Sequence, residues 1–378
     1  MLVRRRPQPL VILVTLVVGA CGGTAPSPTA SPQTATPTAV STPASTASAP
    51  APSASASGVS TAPSPSAAAR LDGQIVFEDS GQDFMNTQIW LENADGSNVR
   101  KVVSDKLTDN SASLSPDGKQ VVFYRQLTDS LDAAVADPSL FGVLTIVDTD
   151  GSGLHDIATA DRAKRCDEGP EGDAWSPDGS RIAYVRFCFD KQSNFVNGGV
   201  WTIKADGTDP QQVTSEGGDA HIEDHRVGWS PDGTSLVFER IDTSTTPERA
   251  ALFTVGTDGK GLFQVTPWSV DGNDPDWSPD GTQIVFNASA EPSPTQNIWT
   301  IHPDGTGLTQ LTKYDQAGQA TFHPTWSPDG AHILFSHSPS TDGWGDFFVM
   351  NADGSDQHVL AETTLHENHG QWGPDPAP

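Results

Sequence analysis

The sequence predicts an all-β chain folded as a six-bladed β-propeller of four-stranded blades, closed by the C-terminal strand completing the first blade. Three observations predict it. Trp-Ser-Pro-Asp-Gly runs from Trp175, Trp229, Trp277 and Trp326, with a variant Leu114-Ser-Pro-Asp-Gly118 ahead of them and a frayed Trp372-Gly-Pro-Asp375 behind. A second turn family interleaves with the first: Asp95-Gly96, Asp150-Gly151, Asp206-Gly207, Asp258-Gly259, Asp304-Gly305 and Asp353-Gly354. Between the two lie short runs of β-branched and aromatic residues, such as Gln120-Val-Val-Phe123 and Gln283-Ile-Val-Phe286. Self-similarity at a period of roughly 50 residues is the signature of a repeat architecture.

Each unit follows from its turn chemistry. Proline presets φ for the turn, Asp is comfortable after it, and Gly supplies the positive φ of a type I turn with a following bulge. The run after the motif is a second strand. A third, such as Ile89-Trp90-Leu91 or Ile298-Trp299-Thr300-Ile301, leads into the Asp-Gly turn, and a fourth follows, such as Leu308-Thr-Gln-Leu311. Six such units make a propeller. The first unit, opening at Gln74-Ile-Val-Phe77, lacks an innermost strand, whereas Gly370-Gln-Trp372 is an innermost strand with nothing after it. Pairing the two satisfies both edges.

Along the chain, residues 1–20 read as a signal peptide, 21–70 as a tether, 71–375 as the propeller and 376–378 as a tail. Arg4, Arg5 and Arg6 precede an apolar run from Leu10 to Val18, too short to span a bilayer. Small residues just before Cys21 resemble the lipobox of bacterial lipoproteins, in which the Cys is lipidated and becomes the mature N-terminus. The alternative is an ordinary signal with an incidental Cys. Ser, Thr, Pro and Ala then dominate up to Ala69, a composition that cannot offset ordering entropy. Fully extended at about 3.1 Å per residue, this tether reaches on the order of 150 Å.

The formal charge is −27, much of it turn aspartate. A surface this acidic excludes nucleic acid and anionic lipid as partners. With Cys21 taken by lipid, Cys166 and Cys188 remain, lying almost symmetrically about the Ser176–Gly179 turn. In an oxidising compartment that symmetry predicts a structural disulfide. The alternative is a free buried pair.

One face of the disc carries the near-identical turns. The opposite face carries connections that vary in length and composition, among them Arg125 to Gly142 and Ser215 to Val227, and variable loops on a constant scaffold are where binding residues concentrate. Five of the ten histidines lie in loops entering innermost strands: His221, His225, His323, His366 and His369. His323, His369 and Asp274 each stand three residues before their blade Trp, and His225 stands four before. These residues are candidates to line the channel mouth, and His323, His369 and Asp274 to ligate a divalent metal ion. The alternative is solvent-exposed or backbone-capping loop histidines. Trp175, Trp229, Trp277 and Trp326 recur in every unit and read as blade-to-blade packing. Trp268, Tyr314 and Trp344 break the repeat and are ligand candidates, although loop aromatics also pack locally. Asp148-Thr-Asp-Gly-Ser-Gly153 begins like a calcium loop, but its twelfth position is Thr159, not Glu. No Gly-x-Ser-x-Gly elbow and no glycine-rich phosphate loop are present.

The repeat with its flanking strands resembles the TolB-like propellers, a WD-like family with a Pro-Asp signature, over residues 71–375. TolB carries an N-terminal α/β domain where this chain has its tether, and partners the Pal lipoprotein in the periplasm. Prolyl oligopeptidases attach a related propeller to a hydrolase missing here, and oligogalacturonate lyases of similar build bind a metal through central histidines. The expectation is therefore a membrane-tethered extracytoplasmic module, non-enzymatic and monomeric, that binds a protein or glycan of the cell envelope. The alternative is a metal-dependent lyase or hydrolase acting on acidic sugars.

Overall fold

The computed structural model describes residues 71–376 apart from 80–86, 129, 158–165, 170–171, 173, 193, 215–220, 290–294, 317–318, 340–344, 362–364 and 366. The signal, Cys21 and the tether lie outside the described residues, as does Trp344.

Six sheets follow one another, five of them with their earliest strand innermost. Blade 1 joins the two ends of the chain. Glu367–Gly373 is its inner strand, followed outward by Gln74–Asp79, Gln88–Asn93 and Arg100–Lys101. Blade 2 runs Thr108–Leu114, Gln120–Gln126, Val143–Asp148 and His155–Asp156. Blade 3 has a split inner strand, Cys166–Glu168 and Ala174–Trp175, then Arg181–Phe189, Phe195–Lys204 and Gln211–Gln212. Blades 4, 5 and 6 begin at Ile222–Trp229, Gly272–Trp277 and Ala320–Trp326. The all-β six-bladed ring and its closure by the C-terminal strand are thus as the repeat count requires.

The motif serine has a role beyond filling the turn. In five copies its Oγ accepts from the amide five residues on, at 2.9 Å, and donates to the motif aspartate at 2.6–2.7 Å. Glycine then takes φ between 69° and 72°. The Ser176 hydroxyl, helped by the Ser180 amide, holds the Asp178 carboxyl down at about 2.

In two blades the repeated tryptophan hydrogen-bonds its blade to the one before it. Trp175 Nε1 donates to Ser113 O at 3.2 Å and Trp229 Nε1 to Ala174 O at 3.0 Å. Between blades 2 and 3, Val122, Leu144 and Ile146 pack on Trp175, Ile182 and Tyr184. The tryptophans are packing residues, as their fixed position implies. Cys166 and Cys188 sit opposite each other in the blade 3 register and are disulfide-bonded. Among the described residues no helix is long and apolar enough to cross a membrane.

Candidate functional site

Every inner strand is broken at the same place. Three residues before Leu114, Trp175, Trp229, Trp277, Trp326 and Trp372 stand Ser111, Gly172, Arg226, Asp274, His323 and His369, all at positive φ. In the five unsplit strands the pairing register slips there, with two inner residues facing one on the second strand. This is a β-bulge, and its extra residue re-aims the side chain. In blade 3 the position is glycine, and a Cβ there would lie 2.7 Å from the Arg226 Cα. Elsewhere five residues that are not glycine hold φ between 48° and 58°, at a cost of about 1 kcal/mol or more each.

The bulges bring side chains from separate blades together. Arg226 Nε lies 3.3 Å from Asp274 Oδ1, and His323 Nε2 lies 3.4 Å from Asp274 Oδ2. Arg226 Nη1 donates to His369 Nε2 at 3.2 Å. The His323 and His369 rings meet edge to face with centroids 3.7 Å apart. His369 Nδ1 contacts Glu78 Oε1 at 3.0 Å, and the same carboxylate accepts the Ser111 amide. With its amide turned to donate, Asn287 reaches Asp274 Oδ2 at 2.8 Å.

The donors fix the chemistry. Arginine can only donate, so His369 Nε2 accepts and Nδ1 carries the proton that goes to Glu78. Both ring nitrogens of His369 are thus engaged. Burial, then the neighbouring His369 and Arg226, push the His323 imidazole well below its ordinary range. Its Nδ1 is buried without a partner. One cation, Arg226, is thus set among Asp274, Glu78 and two imidazoles.

Such a set does not fit a divalent metal as it stands. Arg226 holds the cationic position, and the nitrogens of His369 and the oxygens of Asp274 are already committed. Among the described residues no three His, Cys, Asp or Glu side chains are arranged to hold a metal ion.

Of the predicted residues, Asp274, His323 and His369 come together at the axis. His225 does not. Standing one residue before the bulge, it turns into the sheet, where it is 3% exposed and lies 5.0 Å from the Phe187 ring. Trp268 packs on Phe253 with the Arg249 guanidinium 4.9 Å above its ring. Tyr314 stacks on His337 at 4.0 Å and contacts Gln357 through its hydroxyl. Arg226 and Glu78 were not foreseen. The count of three from the tryptophan lands on Arg226 as surely as on His323, whereas Glu78 reaches the group only through ring closure.

A family model for the TolB beta propeller domain matches residues 142–376. TolB from Acinetobacter baumannii superposes with a TM-score of 0.61 at 15% identity, over 80% of this chain and 67% of that one. A putative TolB from Agrobacterium tumefaciens gives 0.53 at 19%, over 81% and 91%. An oligogalacturonate lyase in complex with manganese gives 0.51 at 13%, over 76% and 74%. At such identities the likeness is one of fold. No curated protein matches the sequence. With more than half its length matched by that model, the chain belongs to the TolB beta propeller domain family.

Proposed function

We propose that this protein is a lipid-anchored module of the extracytoplasmic cell envelope that binds a protein partner on its variable face, around the Arg226–Asp274–His323–His369–Glu78 group. The observation that carries this reading is the ring of bulges. Strained backbone persists where the surrounding structure enforces it, and such positions cluster at binding sites. Here the strain assembles a charged, hydrogen-bonded surface at the centre of the variable loops.

The start of the folded chain lies on the motif face. Trp372 Nε1 donates to Asp72 O, and the Gln74 amide nitrogen lies 3.3 Å from Gly118 O and 3.4 Å from Pro374 O. The folded chain is therefore entered beside the motif turns. A lipid on Cys21 would anchor the chain to the membrane through the residues ahead of that point. Cys21→Ser should move the protein from the membrane fraction to the soluble fraction. Retention on membranes at wild-type level would remove the anchor.

Partner binding is tested with a photo-crosslinking residue at exposed Gln192, in the variable-face hairpin Asp190–Asn194, against one at exposed Thr234 in a motif turn. Crosslinking in the native envelope should give from position 192 a discrete protein adduct that position 234 does not give, with a several-fold loss in Arg226→Ala. The same adduct in equal yield from both positions would overturn the assignment of the binding face.

A further inference from the structure

The channel's other mouth, on the motif face, is not closed. A cavity of about 240 Å³ opens there between Trp277, Trp326 and Trp372, with Pro279 and Pro328 as further walls and Asp276 inside. Asp276 immediately precedes the blade 5 tryptophan. The residues at that position in the other blades are Ser113, Ala174, Gly228, Thr325 and Gln371, all uncharged. Asp276 is the one charge in this ring.

Its hydrogen bonds do not explain the charge. Asp276 Oδ2 accepts from Trp326 N at 2.8 Å and Thr325 Oγ1 at 3.0 Å, which caps the next blade. Gln371 performs the same task with a neutral amide, its Oε1 accepting from Leu114 N at 2.8 Å. Capping a neighbouring strand here needs an oxygen, not a carboxylate. No Lys, Arg or His among the described residues pairs with Asp276, and its desolvation raises its pKa to about 6. A desolvated carboxylate without a cation is an unfavourable arrangement that an incoming cation relieves.

We propose that this funnel binds a primary ammonium on an apolar stem, the chemistry of a lysine side chain of a partner. The ammonium is a compact point charge with three donors, suited to a single carboxylate in the lining of a cavity. Its methylene stem lies along the indole and proline walls, where aromatic rings also favour a cation. A hard metal ion needs several oxygen ligands, and the funnel supplies one carboxylate. This site is on the face opposite the one assigned above to protein binding, so either assignment can fail without the other.

The test titrates N-acetyl-lysine N-methylamide into the full chain, reading the indole NMR signals, beside the neutral isostere N-acetyl-norleucine N-methylamide. Saturable shifts are expected for the lysine compound, at least tenfold weaker for norleucine, and weakened by salt. Asp276→Asn keeps the cap, as Gln371 does, and should lose the lysine response at least tenfold with its melting temperature held or raised. Leu114→Trp restores the residue of the other blades and fills the funnel from its fourth side, giving a second loss of response without touching Asp276. Equal binding of the two compounds, an unchanged response in Asp276→Asn, or no saturable shift would overturn the proposal.

Discussion

Trp372→Ala is expected to destabilise the fold by about 3–5 kcal/mol, the scale of a large core truncation, although the residue lies close to the C-terminus. Trp372 is 4% exposed and packs with Ile75, Phe77, Leu334, Phe347 and Val349, a cluster drawn from the first and last blades. Its Nε1 donates to Asp72 O at 3.0 Å. The strand that carries it, Glu367–Gly373, pairs along Gln74–Asp79, so the truncation weakens the seam that closes the ring. Opening that seam exposes the edge of Gln74–Asp79. The measurement is urea unfolding of the full chain. A lower midpoint with an unchanged slope shows a ring still closed but less stable, and a reduced slope shows a native state already loosened at the seam. A loss below about 1 kcal/mol would mean that the tail does not hold the toroid together.

The blades were legible because each carries its own punctuation. Proline, aspartate and glycine define the turn chemically, and the β-rich run after each copy has no alternative role. The closure was legible for a similar reason, since an orphan inner strand at one end matches a missing one at the other. The site was legible in part. Counting back from the tryptophan finds Asp274, His323 and His369, but the left-handed backbone that unites them leaves no mark when the residues are Arg, Asp and His rather than Gly or Asn. Looking for imidazole selected His225 over its neighbour Arg226, and the bulge reverses which of the two reaches the axis. Glu78 belongs to a second strand and meets His369, 291 residues away, only in the closed ring. Trp268 and Tyr314 stand outside the repeat, yet Arg249 and His337 give each a local partner. The motif-face funnel was hidden because its walls are the repeat itself, and nothing local distinguishes Asp276 from a turn aspartate.

The second large effect is a dependence of stability on pH that Glu92 sets. This residue is 1% exposed in Gln88–Asn93, and neither carboxylate oxygen has a hydrogen-bond partner. Burial, followed by the nearby charges of Glu367 and Asp95, raises its pKa from 4.5 to about 8. The folded chain thus holds this proton more tightly than the unfolded chain. The stabilisation it provides is complete below pH 4.5 and is lost as pH rises through about 8. A shift of this size corresponds to several kcal/mol, since each unit is worth about 1.4 kcal/mol. Asp109, raised to about 6 by burial against the Arg125 pair, adds a smaller loss in the same direction. Glu92→Gln keeps the shape and removes the titration. Its melting temperature should match wild type at pH 5 and exceed it at pH 9, by roughly 2–4 °C for each kcal/mol recovered. Parallel melting profiles across that range would show that Glu92 does not titrate in the folded chain. Because Glu367 lies on the closing strand, ionised Glu92 repels the element that Trp372 anchors. The Trp372→Ala truncation loosens that element and relieves the repulsion, so its cost in stability should be smaller at pH 9 than at pH 5.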